Sequence, residues 1–127
     1  MSRLVVPMLA AAALLVHSVP AVAGDAAAGQ RVFAQCRACH TVDNGGRNGV
    51  GPNLWGVFGA PAAKKEGARY SANMQELAAG GLTWTAENLS KYLENPKSLV
   101  PRGSMAFAGL RNPEQRANVI AYLETLK

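Results

Sequence analysis

The stretch "AQCRACHTV", residues 34–42, carries both cysteines of the chain, Cys36 and Cys39, with His40 directly after them. The one other histidine is His17. A Cys-x-x-Cys-His pentapeptide admits three chemistries: half of a zinc site, a dithiol exchange centre, or two covalent anchors and an iron ligand for haem. The choice depends on what the rest of the sequence can add.

The start of the chain bears on the redox compartment. Arg3 is a short positive start, Leu4 to Val16 is mostly apolar, and "HSVPAVA" brings Ala21 and Ala23 into an A-x-A arrangement. A run of about thirteen residues spans roughly 20 Å as a helix, short of the roughly 30 Å hydrocarbon core of a bilayer. The expectation is a secretory signal over residues 1–23, cleaved after Ala23, then a single domain over 24–127 in the periplasm. A disulfide is permissible there. One between positions 36 and 39 would close a tiny loop and restrict the unfolded chain little.

Charge narrows the partners. The formal net charge is +5, from 13 Lys/Arg against 8 Asp/Glu, and loss of Arg3 with the leader leaves about +4. No block of five or six like charges occurs, so nucleic-acid binding has little support. A mild basic bias suits salt-sensitive docking onto acidic protein surfaces.

Local signals predict an all-α domain of four to five short helices and long loops. Asp25 is an N-cap for "DAAAGQRVFAQCRACH", a first helix reaching toward His40, with Gly29 inside it. A helical glycine costs about 1 kcal/mol relative to alanine, which suggests a close packing partner. Residues 41–67 are turn material rich in Gly and Pro. "YSANMQELAAGG" reads as a short helix closed by glycine. "TWTAENLSKYLENPKSL" gives another, capped by Thr85, with Leu89, Tyr92 and Leu93 on one face and a stop near Asn95 before Pro96. "KSLVPRGSMAFAGLR" reads as loop. A last helix begins at Asn112, with Pro113 at its first position and Gln115 completing a capping-box pattern. Its apolar positions are Val119, Tyr122, Leu123 and Leu126. So small a domain with such long loops buries little apolar area by itself, which points to a large apolar group outside the amino-acid list.

Counting ligands decides among the three chemistries. Structural zinc wants four, and Cys36, Cys39 and His40 have no further thiol or imidazole once His17 is gone. Thioredoxin-type exchange places its cysteines at a helix N-terminus in a βαβ setting, whereas here they end a predicted helix with no strands around them. Haem attachment fits. The two thiols, three apart, face one edge of a planar ring and add to its vinyl groups, and His40 projects toward the iron. A sixth ligand would come from Met74 or Met105. Met74 at helical spacing reads as core filler, while Met105 lies in a loop able to lay its thioether over the ring.

On these residues the chain resembles class I c-type cytochromes, close to mitochondrial cytochrome c and the bacterial cytochrome c2 group. "GPNLWGVFG", "YLENPKSLVPRGSMAF" and "VIAYLETLK" match family segments in order, and the likeness covers nearly all of residues 25–127. The resemblance implies an all-helical cytochrome c fold around one covalent haem c, with His40 and Met105 as axial iron ligands. It also implies that the Pro52 carbonyl receives the His40 ring N–H. Gly29 and Phe33 match residues packed against the last helix at Tyr122 and Val119. Trp84 matches a tryptophan near a haem propionate, Tyr92 a tyrosine near the Met sulfur, and Phe107 an aromatic near the exposed haem edge.

The chain also departs from the pattern. A cation that often follows "FG", near a propionate, is Ala60 here, and a tyrosine common two residues after Tyr70 is Ala72. Gly103 and Ser104 stand where hydroxyl or lysine residues precede the ligand Met. Gln35 and Gly49 replace two of the family's lysines, leaving Lys97, Arg102, Arg111, Arg37 and Arg47 as the docking patch. The resemblance implies a monomeric electron carrier, not an enzyme. It would cycle one haem iron between ferrous and ferric states, with a bc-type complex, dehydrogenase, oxidase or reaction centre as partner. The alternative is a haem enzyme or ligand sensor in which Met105 is displaceable.

Overall fold

The computed structural model describes residues 24–127, so the expected leader lies outside the described residues. The helices in chain order are α1 (Ala26–Val32), α2 (Ala72–Ala79), α3 (Ala86–Glu94), α4 (Pro96–Leu99) and α5 (Pro113–Glu124). A 3-10 turn, Phe33–Cys36, continues α1. The only sheet-like pairing among the described residues is an antiparallel bridge between Pro61 and Thr83. Among the described residues no helix is long and apolar enough to cross a membrane.

α1 starts as expected, with the Asp25 carboxylate accepting from the N–H groups of Ala27 (2.9 Å) and Ala28 (3.2 Å). It does not run on to His40 as one α-helix. The backbone tightens at Phe33, a common way for a helix to end. One more turn follows, in which the Cys36 carbonyl accepts from the N–H of Cys39 (3.1 Å) and of His40 (3.0 Å). That turn keeps the motif residues in helix-like spacing after the regular helix has stopped.

α1 crosses α5 at Gly29, where a Cβ would collide with the Asn118 carbonyl of α5 and come within 2.9 Å of the Tyr122 Cβ. The absence of a side chain is what lets the two backbones meet. Beside this crossing the Phe33 and Tyr122 rings pack at 5.5 Å with a 54° tilt, and the Asp25 N–H donates to the Asn118 side chain (2.8 Å). Phe33, Val119, Tyr122, Leu123 and Leu126 are all buried there.

α3 is capped by Thr85, whose hydroxyl accepts from the Asn88 N–H (3.1 Å). Asn95 ends α3 and at once begins α4, its side-chain oxygen accepting from the Lys97 N–H (3.2 Å). The segment from Lys97 to Leu99, expected as loop, is therefore a single helical turn: Pro96 fits the first position of a helix and Asn95 caps it. At α5, Asn112 accepts from Glu114 (2.9 Å) and Gln115 (3.1 Å). Arg116 ties the pieces together by donating to the Leu110 (2.8 Å) and Arg111 (3.0 Å) carbonyls and to the Ser90 hydroxyl (3.2 Å), near Glu94 (3.7 Å).

The long loop, residues 37–71, is held by local bonds. Asn53, buried, accepts from the Trp55 N–H (3.0 Å) and donates to the Thr41 hydroxyl (2.8 Å) and the Asp43 carbonyl (3.0 Å). Its own N–H donates to Asn48 (2.9 Å). Gly59 donates to the Trp84 carbonyl and Trp84 to the Ala60 carbonyl, both at 2.8 Å, which fastens the loop to the strand-like approach to α3.

Candidate functional site: a cavity behind the Cys-x-x-Cys-His turn

Between the α1–α5 pair, the long loop and the segment after α4 lies a cavity of about 410 Å³. Every site residue expected from the sequence lines it: Cys36, Cys39, His40, Pro52, Trp84, Tyr92, Met105 and Phe107. The remaining wall is largely aliphatic and aromatic, including Leu54, Leu89, Leu93, Val119 and Leu123.

His40 is oriented by a 2.7 Å hydrogen bond between its Nδ1 and the Pro52 carbonyl. A carbonyl only accepts, so Nδ1 carries a proton, and the lone pair of the neutral imidazole form then lies on Nε2. Gly51 lies flat against the imidazole, since a Cβ there would strike the ring. The Gly51 N–H also donates to the Cys39 carbonyl (2.8 Å), joining the ring's support to the motif turn.

The two cysteines are free thiols, Cys36 half-buried and Cys39 exposed. Burial raises the Cys36 pKa above the ordinary thiol value, and the nearby Cys39 adds to the rise. An exchange thiol needs the opposite shift. Among the described residues no three His, Cys, Asp or Glu side chains converge as a metal-binding group.

Met105 is half-buried, and the Tyr92 hydroxyl donates toward its sulfur at 3.8 Å. Burial raises the Tyr92 phenol above its ordinary value, so the donor proton stays in place. Tyr92 also packs on the buried Trp84 ring, centroids 5.0 Å apart. Met74 is buried and lines the same cavity from α2, but its sulfur has no such donor among the described residues.

The cavity wall also holds residues outside the expected set. Ala72 is the exposed first residue of α2, while Tyr70 itself lines the cavity. Lys65 was also missed. It is half-buried on the cavity wall, and its Nζ donates to the Trp55 carbonyl (3.1 Å). No local spacing marks it, since it reads as one of two lysines in a turn.

The five cations expected from the sequence to form a docking patch, Arg37, Arg47, Lys97, Arg102 and Arg111, are all exposed. They are not all free. Arg102 pairs with Glu76 at 2.8 Å, the Lys97 Nζ donates to the Gly103 carbonyl, and Arg37 stacks over the Phe33 ring at 5.8 Å.

Comparison with known proteins accords with this geometry. The family model described as "Cytochrome c" matches residues 26–127. The chain belongs to the cytochrome c family. Cytochrome c2 of Rhodospirillum rubrum is 49% identical over 112 residues, covering 82% of this chain and 99% of the relative. Cytochrome c2 of Rhodomicrobium vannielii is 47% identical over 114 residues, covering 89% of each. Among solved structures, cytochrome cH from Methylobacterium extorquens is similar with a TM-score of 0.73 and 43% identity, over 80% of this chain and 99% of that one.

Family membership brings one covalently attached haem c as the cofactor. The residues present fit it. The cavity pairs a mostly apolar lining with two free thiols at its rim, an imidazole with its lone pair on Nε2, and a thioether steadied by a phenol.

Proposed function

We propose that this chain is an exported mono-haem electron carrier of the periplasm, with Cys36 and Cys39 as the thioether anchors and His40 Nε2 and Met105 Sδ as the axial ligands. The observation that carries the reading is the pair of supports behind those two ligands. Pro52 fixes the His40 tautomer, and Tyr92 holds the Met105 sulfur.

When bound, haem c supplies one-electron chemistry between ferrous and ferric iron, and Met/His ligation raises its potential. The protein's part is to hold both ligands in place in either state, so that little rearranges as charge changes. The Pro52 carbonyl keeps His40 from rotating. The apolar wall from Leu54, Leu89 and Leu93 excludes water from the ring face and disfavours the extra charge of the ferric state. Phe107, half-buried, lies by the rim where a partner would approach. Encounters are brief and steered by the exposed cations. The partner is a redox protein with an acidic face, such as a bc-type complex, dehydrogenase, oxidase or reaction centre.

The test is a reduced-minus-oxidised spectrum of the periplasmic fraction from cells expressing the full chain, followed by exposure of the reduced protein to CO. The expected result is a c-type spectrum, a weak red charge-transfer band in the ferric form, and no CO adduct. Rapid CO binding would overturn the assignment of Met105 and favour a ligand sensor or haem enzyme. Recovery of two titratable thiols would overturn covalent attachment.

A further inference from the structure

Several hydrogen-bond donor protons on one part of the cavity wall have no acceptor among the described residues. The Lys65 backbone N–H donates to the Tyr70 hydroxyl at 3.0 Å, which uses an oxygen lone pair and leaves the phenolic proton to point elsewhere. Among the described residues that proton has no acceptor, and neither does the indole N–H of Trp84. Yet no buried side-chain nitrogen or oxygen among the described residues lacks a partner, so the partnerless indole N–H opens onto accessible space, and both residues line the cavity. The Lys65 ammonium has three protons and gives one to the Trp55 carbonyl at 3.1 Å.

The charges lining the cavity point the same way. Lys64, Lys65 and Arg69 all line it, and no Asp or Glu does. Lys64 and Arg69 are exposed, where water screens them, whereas Lys65 is half-buried and tethered. A wall that gathers a cation, a phenol and an indole N–H with no anion of its own is built to receive a carboxylate. The haem of the proposed function carries two carboxylates as its propionate side chains. The sequence lacks a cation at Ala60, the position directly after "FG" where one was expected.

We propose that Lys65 replaces that missing cation, its ammonium compensating an inward haem carboxylate that Tyr70 and Trp84 also bind. This rests on the haem-carrier reading. A half-buried positive charge beside the ring opposes the charge gained on oxidation, and it keeps the carboxylate ionised through the neutral range. Lys65 is thus a positioning and potential-setting residue. It touches neither iron ligand.

The experiment is a redox titration of full-length holoprotein carrying Lys65→Gln, Lys65→Arg or, as a control off the cavity wall, Lys91→Met. Gln can still donate to the Trp55 carbonyl but has no charge, so charge is separated from tethering. At the wild-type midpoint potential and pH 7, Lys65→Gln is expected to shift the ferrous:ferric ratio about tenfold toward ferric, a midpoint about 59 mV lower. It should also acquire a pH-dependent step between about pH 5 and 8, as the uncompensated carboxylate titrates nearer neutrality. Lys65→Arg should restore most of the wild-type behaviour. A Lys65→Gln ratio within twofold of wild type, or an equal shift from Lys91→Met, overturns the role of Lys65 while leaving the carrier intact. Wild-type protein without covalent haem overturns both.

Discussion

The hydroxyl of Tyr92 lies 3.8 Å from the sulfur of Met105, the one hydrogen bond that this thioether receives among the described residues. Donation to sulfur draws electron density from the lone pair that would bind iron, which disfavours the ferric state. Tyr92→Phe keeps the ring against Trp84 and removes only the donor. A weak bond of about 0.5–1 kcal/mol corresponds to a roughly two- to fivefold shift of the ferrous:ferric ratio toward ferric at fixed poise. Spectroelectrochemical titration of the two proteins measures it, and an unchanged midpoint with an intact red band would remove Tyr92 from the account.

Gly29 provides a stability test independent of the cofactor. Helix propensity alone favours Gly29→Ala by about 1 kcal/mol. The structure opposes it, because the added methyl would strike the Asn118 carbonyl and the Tyr122 Cβ, and backbone in a packed helix yields little. Overpacking of this kind costs about 1–3 kcal/mol, so the net expectation is destabilisation. Denaturant midpoints decide the sign, and a more stable alanine variant would mean that α1 and α5 are not tightly apposed there.

Much of this site was legible from local chemistry. Cys36, Cys39 and His40 announce themselves because covalent attachment demands a fixed spacing, and Thr85, Asn112 and Asp25 because caps act within three residues. Gly29 showed as a cost that needed a reason, and the reason is across the fold in α5. What escaped depends on loops. Lys65 and Tyr70 meet the cavity through the path of residues 55–70, which no period describes. Asn53 is buried with both its side-chain groups and its N–H bonded, yet beside Pro52 it reads as one more turn residue. The helical turn Pro96–Leu99 was hidden by its length, since one turn leaves no periodicity.

The proposed docking patch yields a prediction about salt. Arg102 and Glu76 pair at 2.8 Å with side chains 70% and 58% exposed, so breaking the pair changes stability by less than about 1 kcal/mol. Glu76→Gln does more to recognition. It leaves the Arg102 charge uncancelled and raises the net charge by one. Association with an acidic redox partner should quicken about twofold at an ionic strength near 0.01 M, with the gain lost near 1 M. Stopped-flow rates across that range test it, and an equal acceleration at high salt would place the effect outside electrostatics.

Alkaline stability tests the Tyr70 environment. Burial raises its phenol above the ordinary value, outweighing the opposing hydrogen bond from the Lys65 N–H. The free phenol titrates near pH 10. Below that pH both folded and unfolded chains keep the proton, and the stabilising contribution is complete. As pH rises beyond about 10 the unfolded chain releases it first, so the unfolded state binds fewer protons and stability falls with pH. The loss continues as pH rises through the raised folded pKa. Tyr92 is raised by burial as well and adds to the slope. Tyr70→Phe should therefore flatten, without abolishing, the loss of stability measured by denaturant unfolding between about pH 9 and 11. A variant as steep as wild type would mean that the Tyr70 phenol is as free to ionise in the folded chain as in the unfolded one.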